Sequence, residues 1–166
     1  NKEHLLKPGI TVIDLGAAPG GWTQYVNQKL QGRGCIIAVD ILPMEELPGI
    51  NFIQGDFRED NVIQDLLVCV PKEGIDLLLS DMAPNMSGTI TVDIPCAMYL
   101  AELAFDFAEK MLKPGGTMVV KVFQGAGFEE LVKMARKMFK KVTIRKPMAS
   151  RPQSREMYLL AKGFNL

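Results

Sequence analysis

The run Met118-Val119-Val120-Lys121-Val122-Phe123 sets one lysine inside an otherwise apolar stretch. Desolvating an ammonium is costly, so a lysine in such a run needs acidic partners or a chemical task. Two carboxylates offer themselves. Asp81 follows the apolar run Ile75 to Ser80, and Glu156 opens the apolar run near the end of the chain. If these runs are strands of one sheet and the last is antiparallel, Asp81, Lys121 and Glu156 meet at a single edge. An amine placed there can take a proton from a hydroxyl. A salt bridge that merely closes the sheet edge is the structural alternative.

A second set of residues points to a nucleoside. Asp14-Leu15-Gly16-Ala17-Ala18-Pro19-Gly20-Gly21-Trp22 reads as a strand, a glycine loop and a helix start. Gly16 and Gly20 permit a tight turn and leave backbone amides open to a ligand at the helix N-terminus. The spacing is not GxGxxG. Asp40 closes the next apolar run, 24 residues after Gly16, where a carboxylate can take both hydroxyls of a ribose. Gly55-Asp56-Phe57 brings a third acid to the same edge. Pyrophosphate and Asp14 repel one another, so the acid beside the loop favours a ligand carrying positive charge, and S-adenosylmethionine has a sulfonium and an ammonium. Trp22 keeps two readings: a border to the methionine part of that cofactor, or a staple between helix and sheet.

These residues need a scaffold that delivers strand ends to one crevice. Thr11 to Leu15, Cys35 to Val39, Asn51 to Gln54, Ile75 to Ser80 and Thr117 to Phe123 read as strands, with Val142 to Arg145 and Met157 to Ala161 as an antiparallel pair at the sheet's end. Helical spacing joins Ile63, Leu66, Leu67 and Val70, then Leu100, Leu103, Ala104, Phe107 and Met111, then Phe128, Leu131, Val132, Ala135 and Phe139. Lys113-Pro114-Gly115-Gly116 reads as a helix stop. The alternation predicts an α/β fold with helices on both faces of a mostly parallel sheet, and a ligand at the carboxyl ends of its strands.

At 166 residues and 48% hydrophobic, the chain has the size of one domain with its own core, and residues 1–166 are expected to form it. No apolar run approaches the roughly 20 residues of a membrane span. Asn1-Lys2-Glu3-His4 lacks the pattern of a secretion signal, and cysteines at 35, 69 and 96 form no disulfide framework or metal pair; a cytoplasmic protein is expected. Net charge is zero, but it is divided: residues 1–109 carry 6 basic and 16 acidic residues, and 110–166 carry 13 and 3. Lys137, Lys140, Lys141, Arg145, Lys146, Arg151 and Arg155 are therefore candidates for phosphate contacts, against the alternative of a solvated helix face and basic turns.

The five ordered motifs Asp14 to Trp22, Gly55 to Phe57, Ser80-Asp81-Met82-Ala83-Pro84-Asn85-Met86-Ser87-Gly88, Val120-Lys121-Val122-Phe123-Gln124-Gly125 and Ser154-Arg155-Glu156 resemble the FtsJ-type ribosomal RNA ribose 2′-O-methyltransferases over essentially the whole chain. The resemblance implies a Rossmann-like seven-stranded methyltransferase fold with an antiparallel last strand. It also implies S-adenosylmethionine contacts at Gly20, Trp22, Asp40, Asp56 and Asp81. Of the family's Lys-Asp-Lys-Glu tetrad, Asp81, Lys121 and Glu156 match the last three. The first lysine lies in the family upstream of Lys7-Pro8-Gly9, so the domain is expected to lack an N-terminal segment. The implied substrate is a uridine of large-subunit ribosomal RNA, methylated by a monomer without metal. Three rivals are a nicotinamide-dependent dehydrogenase, a metal-dependent small-molecule methyltransferase and an RNA-binding module with a relic pocket. The glycine spacing and Asp14 oppose the first, and the second would need an acidic cation site and no basic surface.

Overall fold

The computed structural model describes residues 6–17, 21–44, 47–82, 88–146 and 155–165. Seven strands and four helices follow in the order β1 (Thr11–Leu15), α1 (Gly21–Leu30), β2 (Cys35–Asp40), β3 (Ile50–Gln54), α2 (Asp60–Cys69), β4 (Ile75–Ser80), α3 (Ile90–Met111), β5 (Leu112–Phe123), α4 (Phe128–Met138), β6 (Phe139–Arg145) and β7 (Glu156–Phe164). One sheet takes them in the order β3-β2-β1-β4-β5-β7-β6. β7 runs antiparallel to both neighbours, and the remaining pairings are parallel. The chain thus reverses its direction of travel across the sheet between β1 and β4, which opens a crevice at their carboxyl ends.

The central strands are apolar on both sides because both are covered. Ile13, Leu15, Ile37, Leu78, Val120, Leu159 and Ala161 face α2, α3 and α4, whose buried residues include Leu66, Phe105 and Ala135. Val12, Ile36, Leu77, Leu79 and Val119 face the other way, against Val26 and Leu30 of α1.

Three expectations shift in detail, the first being that Phe139, read with the last helical stripe, lies just past α4 and opens β6. In α2 the buried pair is Val62 and Leu66, and Leu67 is exposed, because the helix lies with its Val62 side down on the sheet. Lys113-Pro114-Gly115-Gly116 sits within the limits of β5 rather than between helix and strand: Ile75 pairs with Leu112 and Leu77 with Thr117, so the four residues stand out as a bulge. α3 ends at Met111, and its C-cap, Leu112, is already the first residue of β5.

Phe105 is 1% exposed at the centre of the larger core. Phe105→Ala should lower the unfolding free energy by about 3–5 kcal/mol, read as a fall in the urea midpoint at unchanged slope.

Candidate active site

Four acids ring the crevice, one from each neighbouring strand end: Asp56 beyond β3, Asp40 closing β2, Asp14 in β1 and Asp81 just beyond β4. Backbone hydrogen bonds pin each loop to the strand beside it. The amides of Gly16 and Ala17 donate to the Val39 carbonyl at 2.8 and 3.1 Å, Gly55 donates to Asp40 at 2.8 Å, and Asp81 donates to Leu15 at 3.1 Å. Gly16 has φ +74°, and a Cβ there would meet Met82 Cγ at 2.9 Å and Met82 N at 3.1 Å. A side chain at this position is excluded both by the turn and by the backbone crossing it.

The lysine inside β5 finds the two predicted acids. Lys121 Nζ lies 3.0 Å from Asp81 Oδ1 and 3.7 Å from Glu156 Oε1, with the lysine side chain 15% exposed. The antiparallel register explains the meeting: Phe123 pairs with Glu156 and Lys121 with Tyr158, so the start of β7 lies beside the end of β5.

Tyr158 belongs to the cluster, although sequence reasoning passed over it. Its hydroxyl donates to Asp81 Oδ1 at 3.1 Å, the same oxygen that Lys121 approaches. Burial and the Asp81 charge push its phenol well above the usual range, so it remains a donor at neutral pH. The available signal was its place two residues after Glu156, on the same face of a strand. Its ring packs against Trp22, with centroids 5.4 Å apart at 40°. Trp22 therefore does join α1 to the sheet. It also borders an apolar cavity of about 390 Å³ with Leu6, Tyr25, Leu77, Leu79 and Val119.

The other candidates sit in different surroundings. Asp40 Oδ1 accepts the Leu42 amide at 2.9 Å. Asp56 is gripped by Arg58, whose Nε lies 2.9 Å from both carboxylate oxygens and whose Nη2 also contacts Oδ2; this guanidinium holds the Asp56 carboxyl below the usual carboxylate range. Lys137 is exposed on α4, Lys140 and Lys141 at the start of β6, and Arg145 and Lys146 at its end. Arg155, beside Glu156, reaches the Gln124 carbonyl at 3.5 Å. Gly20 and Arg151 lie outside the described residues.

Asp14 is the most constrained of the acids. It is 1% exposed, and the Thr23 hydroxyl from α1 donates to its Oδ2 at 2.7 Å. Oδ1 is buried without a hydrogen-bond partner. Burial pushes its pKa from 3.8 up to about 7, the Thr23 hydrogen bond opposing and the charges of Asp81 and Asp40 adding to the rise. The folded protein therefore holds a proton that the unfolded chain releases as pH rises from about 4, and the resulting loss of stability is complete above about 7. Asp14→Asn removes that loss. Between pH 5 and 8 the wild-type unfolding free energy should fall relative to the variant's, the difference at pH 8 reaching a few kcal/mol because each pKa unit carries about 1.4 kcal/mol, read from urea midpoints across that range.

Among the described residues no group of three or more His, Cys, Asp or Glu is arranged to hold a metal ion, and no helix is long and apolar enough to cross a membrane.

The FtsJ-like methyltransferase family model matches residues 1–164. A ribosomal RNA large subunit methyltransferase E of Legionella pneumophila (strain Corby) is 68% identical over 166 residues, covering 100% of this chain and 81% of the relative. That of Chromohalobacter salexigens is 56% identical over 164 residues, covering 99% and 78%. Among solved structures, a Plasmodium falciparum protein described as a ribosomal RNA methyltransferase superposes with a TM-score of 0.86 at 31% identity, covering 99% of this chain and 91% of that one. Human methyltransferase-like protein 13, solved with SAH, shares the fold at a TM-score of 0.70 and 15% identity, covering 98% and 75%. With its strand order, its acid-ringed crevice and these matches, the chain belongs to the FtsJ-like methyltransferases.

Proposed function

We propose that this chain, as one cytoplasmic domain acting as a monomer, methylates a ribose 2′-hydroxyl of large-subunit ribosomal RNA, at a uridine, using S-adenosylmethionine. The names of its relatives support the RNA class, and the observation that carries the chemistry is Lys121 held between Asp81 and Glu156 at the mouth of the crevice. The residues fit the cofactor. Asp14 Oδ1, buried without a partner, suits a cationic ligand and not a phosphate, and Asp40 stands where ribose hydroxyls are taken. Gly16, Gly20, Trp22, Asp56 and Asp81 complete the set that would hold it. When bound, S-adenosylmethionine supplies an electrophilic methyl on sulfonium.

The residues of the chain then have two tasks. One is alignment, since holding an alcohol and a methyl donor in line is a large part of the barrier. The other is removal of the alcohol proton, which is tightly held near neutrality. Lys121, as the free amine, accepts that proton. Asp81 orients the amine and is itself fixed by the Tyr158 hydroxyl, while Glu156 steadies the lysine or the ribose. The proton acceptor is an amine, and the reading needs no metal.

Lys121→Ala should lower methyl transfer from labelled cofactor to unmethylated large ribosomal subunits by about 10²–10⁴-fold, with cofactor affinity by calorimetry unchanged. Undiminished turnover would overturn the role assigned to the lysine, and transfer abolished by a chelator would point to metal chemistry.

A further inference from the structure

Among the described residues, the sheet continues past α1 with no helix laid over it. Leu159 and Ala161 of β7, and Val142 and Ile144 of β6, pack toward α2, α3 and α4. Alternation along a strand therefore turns Tyr158, Leu160 and Lys162, with Lys141, Thr143 and Arg145, to the side of α1. The register stacks them in rows: Lys141 opposite Lys162, Thr143 opposite Leu160, Arg145 opposite Tyr158. Tyr158 in turn pairs with Lys121. One row thus leads from Arg145 at the sheet edge straight to the candidate base. Another, with two lysines face to face, lies four residues back along β6, about 13 Å at some 3.3 Å per residue.

α1 places its apolar side over β1, β2 and β4, and among the described residues no helix covers β6 and β7 on this face. Lys141 and Arg145 are exposed, and Lys162 is partly so. Glu156 is the only acid in either strand. Among the described residues no ion pair engages Lys141, Arg145 or Lys162. Like charges directly opposite on a sheet are unfavourable, so the Lys141 and Lys162 pair is a local expense that a bound anion would relieve. The cations of α4 lie elsewhere, since that helix packs on the opposite face of the sheet.

We infer that the open face of β6 and β7 is the track of the RNA strand, its phosphates held by Arg145 at one end and by Lys141 and Lys162 at the other. The inference rests on the reading of the chain as an RNA methyltransferase. A polyanion is favoured because the cationic rows flank an uncharged one, Thr143 and Leu160. A strand is favoured because its end at Lys121 delivers a ribose to the amine. Lys162, absent from the sequence-based set of cations, enters it through register alone.

The test compares Lys141→Ser/Arg145→Ser/Lys162→Ser with a charge-matched control on the opposite side, Lys110→Ser/Lys133→Ser/Arg136→Ser. Binding of a fluorescent single-stranded oligouridine is followed by anisotropy from 50 to 200 mM salt, with cofactor affinity by calorimetry as the check on the folded site. The sheet-face variant should bind about tenfold more weakly at the lowest salt, and its log–log salt slope should flatten by about 2, roughly 0.7 per lost phosphate contact. The control should stay within about twofold of wild type. A control that loses as much as the sheet-face variant, or more, overturns the track and leaves the methyltransferase reading standing. Wild-type protein that binds cofactor but no RNA overturns that reading, and the track with it. If the triple variant does not fold, Arg145→Gln alone, at an exposed edge, should flatten the slope by about 0.7, and an unchanged slope overturns the inference.

Discussion

A single carboxylate oxygen, Asp81 Oδ1, lies 3.0 Å from Lys121 Nζ and accepts the Tyr158 hydroxyl at 3.1 Å. An amine that is 15% exposed in an apolar strand is tolerated because this oxygen and Glu156 face it. The contact also joins three strands that are far apart in sequence: Asp81 follows β4, Lys121 lies in β5 and Tyr158 in β7. Charge compensation and tertiary structure are the same interaction at this point. The antiparallel direction of β7 is what makes it possible, because only a strand that starts at the carboxyl edge brings Glu156 and Tyr158 there.

The main features of this arrangement could be read from the residues because their signals are local. A strand such as Thr11 to Leu15 declares itself by a short apolar run, and its end by the glycines that follow. Lys121 was conspicuous because lysine is rare in such surroundings, and Asp81 and Glu156 because they stand at strand ends. The α2 stripe was misread because Ile63, Val62, Leu66 and Leu67 are all apolar, so the spacing admits two faces. Which one is buried depends on how the helix lies on the sheet beside β3. The bulge at 113–116 was invisible for a similar reason: whether Pro-Gly-Gly ends a helix or swells a strand depends on the pairing partner, here Ile75 and Leu77 of β4.

The site was harder to read than the fold because its contacts are long-range. Nothing near Tyr158 in sequence announces that Asp81, 77 residues away, accepts its hydroxyl. The Arg58–Asp56 contact is the local exception, two residues apart, and it takes both oxygens of the acid only because the turn between them folds the guanidinium back. Basic residues that form one cluster along the chain, Lys137 to Lys146, divide between a helix on one face and a strand whose side chains alternate between faces. Spacing along a sequence carries no information about which side of a sheet a cation occupies until the register is known.

The crossing of Met82 over Gly16 has a wider implication. The two turns flanking the switch in strand order, one after β1 and one after β4, are in close contact, Met82 lying against Gly16 with both its backbone and its Cγ, and the Asp81 amide is tied to Leu15. They therefore cannot shift independently. A displacement of the turn after β1 is passed on to the turn that carries Asp81, so the two halves of the crevice move as one body.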